Sequence, residues 1–125
     1  MDVRLKRAYE PPEPGDGYRV LIDRIWPRGV SKEHAHLDEW AHDLAPSGEL
    51  RRWFGHDPAR FSEFRRRYLE ELTARQEKLR ELRHRAREGT LTLVYGARDT
   101  EHNDAVVLAE LLRRAPPVKR PRGAP

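Results

Sequence analysis

"YRVLIDRIWPRG", residues 18–29, decides the fold. Val20, Leu21 and Ile22 stand together with no polar residue between them. Side chains on a strand alternate between its two faces, so this run is apolar on both. Such a strand belongs in the interior of a sheet, and a parallel sheet is the one buried on both faces. A second stretch, "LTLVYGA" (91–97), reads the same way. "VRLKRAY" (3–9) alternates imperfectly and reads as a short strand, and the Pro- and Gly-dense "EPPEPGDG" (10–17) as a loop.

The long segment between the two buried strands is helical in pattern. "SKEHAHLDEWAHDLAPS" is expected to hold a short helix over about 37–43. Ser47 or Gly48 opens another through Phe54. Asp57 serves as an N-cap with Pro58 at the first helical position. Phe61, Phe64, Tyr68 and Leu72 then form one apolar stripe. A following helix turns Leu79, Leu82 and Ala86 inward and ends at Gly89. The last helix, about 101–113, starts at Asp99 or Thr100 as N-cap and carries Ala105, Leu108, Ala109 and Leu112. Strands separated by helices give an α/β fold. The expectation is a small, mostly parallel sheet of three or more strands, flanked by helices, in a single layered domain over 1–113. Its crossovers are expected to be right-handed.

Charge and composition narrow the classes of function. The chain has 125 residues, no Cys and a net charge of +4. Without Cys there is no disulfide, thiol nucleophile or thiolate-bound metal. No run approaches the length of a membrane helix, and "MDVRLKRAYE" lacks the apolar middle of a signal peptide. A cytoplasmic location with no membrane partner is the default expectation. Five basic residues and no acid lie in 113–125, so the body is near neutral. The Pro- and Arg-rich segment 114–125 is expected to be a disordered basic tail, able to touch nucleic acid. His34-x-His36 lacks a third ligand nearby, and no metal or cofactor is expected.

Open parallel sheets bind ligands beyond the carboxyl ends of their strands. There the second strand delivers Asp23, Arg24, Trp26 and Arg28, followed by Lys32. The later strand delivers Tyr95, Arg98 and Asp99, and the expected helix start adds His102 and Asn103. Guanidiniums and an ammonium meet phosphate or carboxylate, while Trp26 and Tyr95 offer flat faces. "WFGHDP" (53–58) places Trp53 and His56 on a turn that folds over the same edge. Asp23, Arg24, Tyr95, Asp99 and His102 are expected around one concavity. Alternation along the strand sends Arg24 toward the ligand and Asp23 beneath the loop. Each residue also has a structural reading. Asp23 with Arg24 is an ion pair, Asp99 a cap, His56 part of a capping turn, and Trp53 packing.

"VRLKRAYEPPEPGDGYRVLIDRIWPRGVSKE", "WFGHDPARFSEFRRRYLEEL" and "LTLVYGARDTEHNDAVVLAELL" resemble the YeaO-like branch of the bacterial family called domain of unknown function 488. The resemblance runs to about Arg113. It implies a compact α/β domain and no particular activity. Longer relatives carry an Asp-Val-Arg strand end followed by Pro and Arg, which Asp23, Arg24, Pro27 and Arg28 match. They also carry a Cys- and His-containing segment before the last helix. His102 stands where its His would be and the Cys is missing, which argues against thiol chemistry.

The sequence thus points to binding of an anionic small molecule, a nucleotide or sugar phosphate, at the strand ends. Were it an enzyme, the expected class is hydrolase or transferase, with Asp99, His102 and His56 as the catalytic candidates and Asp23, Arg24, Trp26, Arg28, Lys32, Trp53, Tyr95, Arg98 and Asn103 as ligand contacts. The rival classes are a nucleic-acid-associated protein acting through the tail and a non-catalytic interaction domain.

Overall fold

The computed structural model describes residues 1–114. Four strands, β1 (Asp2–Arg7), β2 (Tyr18–Leu21), β3 (Glu39–Trp40) and β4 (Thr90–Tyr95), form one parallel sheet in the order β1-β4-β2-β3. Leu91, Leu93, Val94 and Tyr95 of β4 and Val20 and Leu21 of β2 are all buried. The two runs apolar on both faces are therefore the inner strands. β1 and β3 form the edges.

Among the described residues five helices accompany the sheet: α1 (Lys32–Ala35), α2 (Gly48–Phe54), α3 (Phe61–Leu72), α4 (Gln76–Glu88) and α5 (Asp104–Arg113). The stripe of Phe64, Tyr68 and Leu72 on α3 and that of Leu79, Leu82 and Ala86 on α4 are buried, as their spacing requires. They join Val3, Val20, Ile22, Leu91, Leu93 and Tyr95 in one core with α5. Two polar contacts lock this layer. The Tyr68 hydroxyl donates to the Leu44 carbonyl at 2.7 Å, and the buried Arg83 guanidinium donates to the Leu111 and Leu112 carbonyls, closing the end of α5.

The other face of the sheet is built differently. The core residues of α2, α3, α4 and α5 all lie on the first face. On the second, Lys6, Arg19, Leu21, Thr92 and Val94 are buried under the 10–17 loop, the irregular chain after β2 and the single turn of α1. The Asp16 carboxylate gathers the charges. It accepts from Lys6 Nζ at 3.1 Å, Arg19 at 2.6 Å and the Glu13 amide at 3.0 Å. Thr92 donates to the Asp16 carbonyl at 2.6 Å, and the remaining Arg19 donors reach the Ala35 and His36 carbonyls. Gly17 makes this approach practicable. Its φ is +65°, and a Cβ there would lie 2.2 Å from the Thr90 carbonyl oxygen.

Three expectations about elements are corrected. The helix expected over 37–43 is α1 at 32–35, followed by the edge strand β3 and a 3-10 turn at His42–Leu44. Leu37, Trp40 and Leu44 mimic helical spacing. Instead the Asp38 amide donates to the Arg19 carbonyl at 2.8 Å and the Asp38 carboxylate accepts from the Arg19 amide at 2.8 Å, which draws the segment onto β2. Asp57 does cap, but what it caps is the 3-10 turn Pro58–Arg60 that leads into α3. The last helix starts at Asp104 with Asn103 as its N-cap, not at Asp99 or Thr100. The basic tail expected over 114–125 lies, beyond Arg114, outside the described residues.

Candidate functional site

Beyond the carboxyl ends of β2 and β4 lies a cavity of about 230 Å³. Its apolar wall is made by Phe54 and Phe64, whose rings stack with centroids 4.2 Å apart, together with Ile25, Pro27 and Pro46. Its polar lining is Asp23, Arg24, Arg51, His56, Asn103 and Asp104. Tyr9, Gly96 and Ala97 complete it.

Each polar residue is brought there by a local cause. β2 leaves the sheet after Leu21, and only the Ile22 amide still reaches Val94 O, at 3.1 Å. Strand alternation therefore does not bind residues 23 and 24, and both side chains line the cavity; Asp23 is not tucked beneath the loop. The Asp23 carboxylate accepts from the Gly96 amide at 2.8 Å, and the Asp23 carbonyl accepts from Trp40 Nε1 at 2.7 Å. Gly96 has room for this contact because it has no Cβ. One added there would stand 3.3 Å from Asp23 Oδ2. Arg24 Nε donates to the Pro46 carbonyl at 3.1 Å, and its two terminal amino groups have no hydrogen-bond partner among the described residues. Arg24 and Asp23 form no ion pair with each other.

Arg51 comes from α2, which is capped by Ser47. Ser47 is itself held by Glu71 through its amide at 2.8 Å and hydroxyl at 2.7 Å. α2 ends in two successive left-handed residues, Gly55 at φ +54° and His56 at φ +57°. Such a conformation is uncommon for a residue with a Cβ, and it turns the chain so that His56 comes to the cavity. Asn103 and Asp104 arrive with the start of α5. Asn103 is buried, with its amide nitrogen donating to the Asp99 carbonyl at 2.8 Å and its oxygen accepting from Val106 at 2.9 Å.

Burial, and then the charge of the neighbouring Asp23 carboxylate, pushes the Asp104 carboxyl well above the usual carboxylate range. These effects outweigh the backbone amides at the helix start, which act the other way. Arg24 and Arg51 have no carboxylate partner among the described residues. The cavity thus combines two cations at its exposed side, two neighbouring carboxyls of which Asp104 resists ionisation, and aromatic carbon.

Of the residues singled out in the sequence, Asp23, Arg24, His56 and Asn103 line this cavity, and the others lie elsewhere. Tyr95 is buried in the helical core. Asp99 caps a turn, accepting from the amides of Glu101 at 2.9 Å and His102 at 3.0 Å, which lowers its carboxyl pKa. His102 Nδ1 lies 2.9 Å from Asp99 Oδ2, and its ring packs edge-on against Phe61. Trp26 faces away. It donates to the Val30 carbonyl at 2.6 Å, packs edge-on against Trp40, and helps cover Leu21 and Val94 on the charged face. Trp53 is held between the guanidiniums of Arg60 and Arg67, at 5.3 and 4.4 Å. Arg28, Lys32 and Arg98 are exposed, and none of them lines the cavity.

Arg51 and Asp104 were not anticipated. Arg51 sits on an exposed helical surface beside Arg52, and nothing local distinguishes the two. For Asp104 a signal existed. Asn-Asp directly precedes the apolar run of α5, the expected form of a helix start.

Relatives place the chain. "Uncharacterized protein YeaO" of Escherichia coli (strain K12) is 43% identical over 113 residues, covering 90% of this chain and 98% of the relative. "Uncharacterized protein Rv3073c" of Mycobacterium tuberculosis (strain ATCC 25618 / H37Rv) is 46% identical over 110 residues, covering 88% and 92%. No solved structure matches the chain significantly. Residues 2–122 match the family profile described as "Inactive DUF488-N3 subclade", and the chain belongs to this YeaO-like DUF488 family.

Proposed function

We propose that the protein binds a small anionic molecule, of the size of a sugar phosphate, in the cavity beyond β2 and β4, and that it holds this ligand without transforming it. The observation that carries this reading is the pair of guanidiniums, Arg24 and Arg51, lining one cavity with no carboxylate partner among the described residues. Guanidiniums hydrogen-bond phosphate oxygens in a fixed fork, and a charge left unpaired beside an apolar wall favours such a partner. A volume of about 230 Å³ suits a sugar phosphate better than a whole nucleotide.

Binding is favoured over turnover on two grounds. The family's own description calls its members inactive. Among the described residues no Ser, Thr, Cys or Lys lines the cavity, and His56 has no carboxylate orienting it. The test is titration calorimetry with inorganic phosphate and ribose 5-phosphate at low ionic strength. Binding is expected in the wild type, weakened in both Arg24→Ala and Arg51→Ala. Equal affinity in all three proteins would overturn the assignment. Release of inorganic phosphate from ribose 5-phosphate would overturn the inactive reading.

A further inference from the structure

The cavity offers more than cations. Asp23 and Asp104 line it from two different elements, the chain after β2 and the first residue of α5. One oxygen of Asp23 is taken by the Gly96 amide at 2.8 Å. Two neighbouring carboxyls at the edge of an apolar core resist double ionisation, because like charges repel strongly in a poorly screened site. Burial and the Asp23 charge accordingly raise Asp104 above the usual carboxylate range.

Two carboxyls that line one cavity from different elements offer it several acceptor oxygens. Their natural partners are groups that donate hydrogen bonds in adjacent pairs. Neighbouring hydroxyls do so without changing the protonation of the pair. An ammonium group would instead favour the ionised form of Asp104, against the burial that raises it. The stacked Phe54 and Phe64 add a flat apolar surface for the carbon side of a polyol.

We propose that Asp23 and Asp104 form a hydroxyl-recognition subsite, so that the ligand is a small polyhydroxylated anion whose adjacent hydroxyls rest on the two carboxyls while its anionic group meets Arg24 and Arg51. This rests on the anion-binding reading for the other end of the ligand.

A matched series of phosphate esters separates the two claims. n-Propyl phosphate carries the anion alone, glycerol 3-phosphate adds adjacent hydroxyls, and phosphoethanolamine carries an ammonium instead. In calorimetry on the wild type, glycerol 3-phosphate is expected to bind at least about tenfold tighter than n-propyl phosphate, as two well-formed hydrogen bonds supply. In Asp104→Ala the ratio of the two affinities is expected to fall to about one. Equal binding of n-propyl and glycerol phosphates to the wild type would overturn the hydroxyl subsite and leave the anion site standing. Tightest binding of phosphoethanolamine, with proton release, would also overturn it. Failure of all three esters and of inorganic phosphate would remove the anion reading itself. If Asp104→Ala does not fold, the wild-type series still decides.

Discussion

The protein carries two clusters of buried or half-buried charge, and they titrate in opposite senses. On the charged face of the sheet, Asp16 is buried, which alone would raise its pKa. The Glu13 amide, Lys6 and Arg19 outweigh burial and hold it below the usual range. At the strand ends, burial and Asp23 raise Asp104. The first cluster contributes stability that is present above about pH 4, the unfolded value, and is lost as pH falls through the lowered native value. The second is the reverse. Its native value lies above its unfolded one, so its contribution is complete below about pH 4 and is lost as pH rises through the raised native value. In the first, every charge has an internal partner. In the second, two carboxyls crowd together while two guanidiniums nearby have none. A fold tolerates such an arrangement where it serves something outside itself.

The largest test of this contrast is Asp16→Ala. It leaves Lys6 and Arg19 buried without a carboxylate, and urea unfolding is expected to show a loss of about 3–5 kcal/mol. Stability unchanged within error would mean that the cluster is not the internal brace described here.

Loss of an arginine from the cavity should do the opposite. Arg24→Ala and Arg51→Ala are expected to change stability by no more than about 0.5 kcal/mol, since both side chains are exposed, yet to weaken phosphate binding about tenfold or more. Unfolding of either variant would place it with Asp16.

Next is the pH profile of Asp104→Asn. Removing an ionisable group that resists ionisation should make the variant more stable than the wild type at pH 8. The two thermal midpoints should converge toward pH 4 as the wild-type carboxyl is protonated in both states. Parallel curves would show that Asp104 ionises normally.

The smallest effect belongs to His102→Ala. His102 and Asp99 are about one-third exposed and outside the cavity, so the loss should be below about 0.5 kcal/mol and ligand affinity should not move. A change in affinity would return His102 to the site.

How much of this could be read from the residues depends on the range of the cause. β2, β4 and the stripe of α3 are legible because a strand buried on both faces and a helix buried on one leave a local pattern. β3 is only two residues long, and what creates it is the edge of β2 some twenty residues earlier, so its own sequence reads as helix. Asp23 and Arg24 are legible because strand ends are where parallel sheets place ligands. Trp26 misled for a related reason. Its indole reads as a ligand platform, but the face beneath it has only the single turn of α1 over it, and the indole helps cover it. Arg51 is set apart from Arg52 only by which way the helix faces in the finished fold.

The strand order has a consequence for how the chain is made. β1 pairs only with β4, and β2 depends on β4 for all but a two-residue edge. The side chains of Asp2 and Thr90, which bond at 2.8 Å, lie 88 positions apart. During synthesis the first two strands leave the ribosome without their partner, and the sheet closes only once residues 90–95 have emerged. Pairings of such long range make folding slow compared with a helical bundle. A fragment that stops before Thr90 lacks the central strand, and its two longest remaining strands have nothing between them to join.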